Sequence, residues 1–192
     1  MSINLYDALK SSYGDKKSQD KLKSSGYNYD SMLSNHNQQV WYNPNTKKML
    51  FNVAGTHNLQ DWGTDLYLAF GGLKNTNRYK EASKILDEAK RKYGNDIETN
   101  ITGHSLGGAI SQYIAGKNDK VYTLDKGATI GQKTRSNENA YRTSGDIVSA
   151  LNSNSTRMKT LNNYNKAQGF LPLDILKAHD VNNIKDEGIF ID

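Results

Sequence analysis

The chain has 192 residues, a hydrophobic fraction of 35% and a mean hydropathy of −0.80, enough for one domain with a real core under a very polar surface. No apolar run reaches the length of a membrane span, and the absence of cysteine excludes disulfides, thiolate metal sites and a cysteine nucleophile together. The net charge of +5 favours anionic partners, but the lysines are scattered in small groups such as Lys16-Lys17 and Lys90-Arg91-Lys92 that read as solvated faces. No nucleic-acid-binding signature accompanies them, so no specific nucleic-acid partner is expected.

In chain order, the first seven residues carry neither a basic n-region nor an apolar h-region. A cleavable signal peptide is therefore not expected, and the location read from this is cytoplasmic or particle-associated. Residues 1–35 read as a polar N-terminal extension, with a short amphipathic helix at Ile3, Tyr6 and Leu9 followed by loop. Residues 40–42 and 48–54 make two paired strands around an Asn43-Pro44-Asn45-Thr46 turn. A helix is expected over 62–70, ended by Gly71-Gly72. Asn77 then caps a helix whose apolar stripe is Tyr79, Ala82, Leu86, Ala89 and Tyr93, closed by Gly94.

Ile97, Thr99 and Ile101 alternate with polar residues as a strand, and 106–116 has helical spacing with Gly116 as its C-cap. Strands follow at 121–124 and 139–142 and, more weakly, at 156–161, and a helix at 173–178. Strands alternating with helices argue for an α/β fold, a mostly parallel central sheet with helices on both faces.

Between the third strand-like segment and its helix stands Gly103-His104-Ser105-Leu106-Gly107, a G-x-S-x-G sequence followed by Gly108. A serine on a sharp strand-to-helix turn sits in a strained conformation that pushes its Oγ out above the sheet, and small neighbours are needed where strand and helix pass close. Ser105 is the candidate nucleophile.

A serine hydroxyl needs a base within hydrogen-bond reach, and on this type of elbow the chain order is Ser, then Asp or Glu, then His. Of the four histidines, only His179 follows Ser105. His57 is a candidate for the mouth of the site. His104 adjoins the nucleophile, and at an elbow its side chain should diverge from Oγ and pack, close to where substrate would lie. Among the acids between Ser105 and His179, Asp146 is preferred because it follows a strand in a loop, and Asp125, at the end of 121–124, stands second. The acid would orient the imidazole and stabilise the imidazolium. Oxyanion donors are expected from the backbone N–H of Leu106 and from Gly55-Thr56 at the end of the second strand.

From about 48 to 181 the chain resembles the class 3 lipases, the fungal triacylglycerol lipase-like branch of the α/β-hydrolases. Val53-Ala54-Gly55-Thr56 with Asp61-Trp62 and Asp65-Leu66 is similar to the family's oxyanion segment and the stretch after it. Gly103 to Gly108 matches its elbow, residues 121–124 with Gly127 and Gly131 its next strand, and Gly145-Asp146-Ile147-Val148 its acid motif. His179 stands where its histidine would. The resemblance implies that Thr56 supplies the second oxyanion N–H and that 58–72 holds a lid or its remnant, with Trp62 and Leu66 facing lipid. Ala54 stands where the family commonly has a basic residue, and Ser149 where proline is common.

The resulting expectation is a serine hydrolase acting on carboxylic esters, above all of lipids, with an anionic membrane surface as the favoured place of encounter. This chemistry requires no metal or organic cofactor. The alternative is a hydrolase fold kept as a binding or assembly module. No pattern in the chain sets an oligomeric state.

Overall fold

Runs of apolar side chains bounded by polar ones build a hairpin: β3 (Gln38–Asn43) and β4 (Lys48–Val53) pair antiparallel, with Val40 opposite Phe51 and Trp41 opposite Leu50. Asn43 Oδ1 accepts from the backbone of Asn45 and Thr46 to close the turn, and Lys47 takes a positive φ of 53°. The structure is a computed structural model, and it describes residues 2–57, 72–94, 96–127, 133–150, 158–162, 179–184 and 188–191. The helices expected over 62–70 and 173–178 lie outside the described residues.

The remaining elements follow in order. They are β1 (Ile3–Asn4), α1 (Leu5–Ser12), α2 (Lys16–Ser24), β2 (Asn28–Tyr29), α3 (Asn77–Tyr93), β5 (Glu98–His104), α4 (Leu106–Ile114), β6 (Lys120–Leu124), β7 (Glu138–Thr143), α5 (Ile147–Ala150), β8 (Lys159–Leu161) and β9 (Phe190–Ile191). Among the described residues seven strands form one sheet in the order β2-β3-β4-β5-β6-β7-β8, parallel from β4 onward, while β1 and β9 pair antiparallel with each other. This is the α/β architecture read from the alternation of elements.

The two faces of the sheet carry separate cores. Met49, Phe51, Val53, Ile101 and Val121 pack with Leu86 of α3 and Ala109 and Ile110 of α4. Trp41, Leu50, Tyr122 and Leu124 pack on the other face with Leu5, Ala8 and Leu9 of α1, Leu22 of α2, and Val181, Ile184 and Ile191. Consecutive residues of β4 thus feed opposite layers, as strand geometry requires.

Residues 1–35 therefore do more than extend the chain. The helix α1 is buried on the sheet, and α2 occupies a stretch that reads as loop because Leu22 is its one large apolar side chain facing inward. Two caps also differ from expectation. Thr76, not Asn77, is the N-cap of α3, its Oγ1 accepting from Tyr79 N, and α4 ends at Ile114 with Ala115 as C-cap. Gly116 is instead held by Asp119, whose carboxylate accepts the Gly116 N–H and pairs with Lys90 at 2.6 Å. Gly94, at φ 101°, ends α3 as expected.

Candidate active site

Ser105 stands between β5 and α4 at φ 55°, ψ −126°, a region that non-glycine residues rarely occupy. The surrounding backbone over-determines it. Ser105 N donates to Leu124 O at 3.0 Å, and its carbonyl accepts from Ala109 N at 3.2 Å and Gly127 N at 3.1 Å. The flanking glycines have no substitute: a Cβ on Gly103 would stand 2.5 Å from Ser111 Oγ and overlap the Gly107 carbonyl, and one on Gly107 would overlap the carbonyl of Val53. The start of α4 is thereby pressed onto the end of β4.

That contact places Gly55-Thr56. A Cβ on Gly55 would lie 3.2 Å from Ser105 Cβ and 2.9 Å from the His104 carbonyl, and it would overlap the Tyr13 hydroxyl. Arg78, in the first turn of α3, donates to Ala54 O at 2.6 Å and to Gly55 O at 3.3 Å. Gly55 N donates to Tyr13 Oη at 2.8 Å. Thr56 is half-buried beside this crossing, and Leu106, 8% exposed, opens α4, where backbone N–H groups point free of the helix ladder.

His179 and Asp146 meet at 2.7 Å, Nδ1 to Oδ1. Asp146 is fully buried and also accepts from Ser149 N at 2.7 Å and, more weakly, from Val148 N. Burial alone would raise its carboxyl, but the hydrogen bond and charge of His179, with Ser149, hold it below the usual carboxylate range. For His179 burial acts downward, and Asp146, joined by the charge of Asp125, outweighs it and raises the imidazole. Asp125, at φ 45° just past β6, is engaged elsewhere: its carboxylate accepts from Thr143 N at 2.6 Å and Thr143 Oγ1 at 2.9 Å. Burial and the neighbouring Asp146 charge push Asp125 up to about 7.

The candidate substrate contacts divide. His104 is 4% exposed, lies behind the site with its Nδ1 2.8 Å from Tyr13 Oη, and its ring sits 4.9 Å from that of His179. It packs within the protein and offers substrate no exposed face, because Cβ directions alternate along β5 and His104 falls on the α1 side. His57 is exposed, its Nε2 2.7 Å from His36 O. Trp62 and Leu66 lie outside the described residues. Sequence reasoning missed Tyr13 and Arg78, which no motif marks, and it registered Ser149 only as a departure from proline.

Ligand-type atoms of His104, Asp125 and His179 lie within 4.8 Å of one another. Each residue is already engaged within the protein, His104 by Tyr13, Asp125 by Thr143 and His179 by Asp146.

A seven-stranded, mostly parallel sheet with a serine at a strained strand-to-helix turn defines an α/β-hydrolase fold of the lipase type. The chain belongs to the phospholipase-like family, with residues 12–177 matching the Tle-like phospholipase domain. No curated protein matches the sequence. Among solved structures, a Rhizomucor miehei lipase propeptide complex is 17% identical over 80% of this chain and 62% of its own, with a TM-score of 0.52. The Rhizomucor miehei triacylglyceride lipase is 16% identical over 77% of this chain and 72% of its own, at 0.51. Yarrowia lipolytica Lip2 lipase is 20% identical over 59% of this chain, at 0.42, and the chain spans 55% of its length. The Rhizomucor likeness shows the shared fold. Against Lip2 and the propeptide complex, the chain spans less than two thirds of the solved length.

Proposed function

We propose that the protein is a serine hydrolase that cleaves carboxylic ester bonds of lipids. The observation that carries this reading is the buried Asp146–His179 pair at 2.7 Å, its imidazole ring 4.9 Å from that of the residue preceding Ser105. In the proposed reaction Ser105 Oγ attacks the acyl carbonyl while His179 Nε2 takes its proton. Asp146 holds the ring through Nδ1 and stabilises the imidazolium without being protonated itself. The backbone N–H groups of Leu106 and Thr56 receive the oxyanion, each such donor contributing about 3 kcal/mol in the transition state. His179 then protonates the leaving alkoxide, and a water activated by the same imidazole releases the acyl group.

Family membership supports a lipid ester as the substrate class. The net charge of +5 supports encounter at an anionic phospholipid surface. Among the described residues no helix is long and apolar enough to cross a membrane, so that encounter is read as contact with a lipid surface.

Labelling with a fluorophosphonate probe tests the reading. Wild type should label, and Ser105→Ala and His179→Ala should not. An ester panel of rising chain length and anionic phospholipid vesicles would then define the substrate. A folded wild type that takes no label, with or without lipid, favours a binding module on the same fold.

A further inference from the structure

All four histidines of the chain fall on one continuous line of rings through Tyr13. Centroid separations are 5.9 Å from His36 to His57, 5.3 Å from His57 to Tyr13, 5.8 Å from Tyr13 to His104 and 4.9 Å from His104 to His179. The middle of this line is hydrogen-bonded. The Gly55 N–H can only donate, and it gives its proton to Tyr13 Oη at 2.8 Å. Tyr13 Oη also lies 2.8 Å from His104 Nδ1, which accepts the hydroxyl proton when the neutral ring carries its own proton on Nε2.

Burial and the charge of His179 push His104 down to about 3, which keeps its ring neutral. Burial likewise raises the Tyr13 phenol, which keeps its proton. Both partners thus hold these roles across the ordinary pH range.

Two sides of the Ala54–Thr56 backbone are held at once. Arg78 binds the carbonyls of Ala54 and Gly55, and Tyr13 binds the Gly55 N–H. The segment delivering Tyr13 is anchored in turn: Tyr13 is the C-cap of α1, whose Ala8 and Leu9 are fully buried. At its other end, Leu5 N donates to Ile189 O and β1 pairs with β9, downstream of His179.

We infer that Tyr13 and His104 are positioning residues of the active site, the tyrosine hydroxyl setting the Gly55-Thr56 backbone against the nucleophile and the neutral His104 ring backing His179. This rests on the hydrolase reading above, and neither residue touches substrate. Holding a donor within a fraction of an ångström of its target is what preorganised catalysis requires, and a 1 Å misplacement can cost about 100-fold in rate.

Tyr13→Phe is the test, because it keeps the ring contacts to His57 and His104 and removes only the hydroxyl. On a soluble p-nitrophenyl ester, with rates normalised to fluorophosphonate-titrated sites, kcat should fall by about 10- to 100-fold with KM within about twofold. Affinity for an alkyl boronic acid, which forms a tetrahedral adduct, should fall in parallel with kcat. His104→Asn keeps an acceptor near the Nδ1 position and should retain more activity than His104→Leu. Circular dichroism and thermal melting monitor the fold in each case. A labelled wild type beside a Tyr13→Phe protein with kcat within twofold overturns the inference alone. So does a kcat loss that spares boronate affinity. A wild type that takes no label overturns the hydrolase reading, and this inference with it.

Discussion

Asp146 and Asp125 are both fully buried at the same end of the sheet, yet only Asp146 meets His179, at 2.7 Å, while Asp125 is turned onto Thr143. Two carboxylates so placed cannot both ionise freely, and their environments push them apart. Asp146 is held down by its imidazole partner and Asp125 is pushed up to about 7.

A pH profile follows from that division. The base must be neutral to take a proton, and His179 is raised above its ordinary value by Asp146 and Asp125. The acid limb of kcat/KM should therefore have its midpoint above about 6.5, with activity rising as pH rises. Asp125→Asn keeps the shape and removes a charge that raises His179, so the limb should move to lower pH. An unchanged or upward-shifted midpoint in rates measured between pH 5 and 9 would refute this account.

Strain at the elbow predicts a difference between two inactive variants. Ser105→Ala keeps the Cβ at φ 55°, whereas Ser105→Gly removes it. Relief of an unfavourable φ, set against the greater freedom of glycine when unfolded, should leave the glycine variant more stable by about 1 kcal/mol. Neither should label. Denaturant titration of the two proteins checks the order, and a more stable alanine variant would contradict it.

The face of the sheet covered by α4 carries a buried ion pair whose removal should be costly. The side chains of Lys126 and Glu138 are both 0% exposed and 2.6 Å apart, and Glu138 also receives Thr123 Oγ1 and the Gln112 side chain. Burial lowers the Lys126 ammonium, and Glu138 partly compensates. Lys126→Met should leave the carboxylate uncompensated and cost about 3–5 kcal/mol, while Lys126→Met with Glu138→Leu should cost less. Equal costs for the single and double variants in urea unfolding would show that the pair is not the source. Because Lys126 backs Gly108 and precedes Gly127, which donates to Ser105 O, the single variant should also label more slowly.

The N-terminal helix should behave as core. Leu9 is fully buried among Trp41, Leu50 and Leu124, so Leu9→Ala should cost about 2–5 kcal/mol. Lys17→Ala, on an exposed face of α2, should change stability by less than about 0.5 kcal/mol. Thermal melts of both variants are sufficient, and a small effect at Leu9 would return this segment to the status of an appendage.

Local chemistry is what the one-dimensional chain encodes well. Gly103, Ser105 and Gly107 were legible because a strained turn needs those residue types at that spacing, and the order of Ser105, Asp146 and His179 narrowed the candidates without any coordinates. Strands β3 to β7 and helices α3 and α4 were legible from periodicity, with boundaries off by at most three residues. What tertiary structure decided was contact between distant segments. Which of Asp146 and Asp125 meets His179 depends on how the segment carrying His179 comes back to the sheet. The burial of α1 depends on a polar sheet face, where Asn52 donates to Ala8 O and Ser11 Oγ and accepts from Thr102. Such a face reads as solvent-exposed in sequence, since polar residues satisfied by one another cannot be told from polar residues satisfied by water. Tyr13 lies in the same blind spot: nothing in its neighbourhood marks it, and its meaning appears only where it meets Gly55 and His104, 42 and 91 residues away.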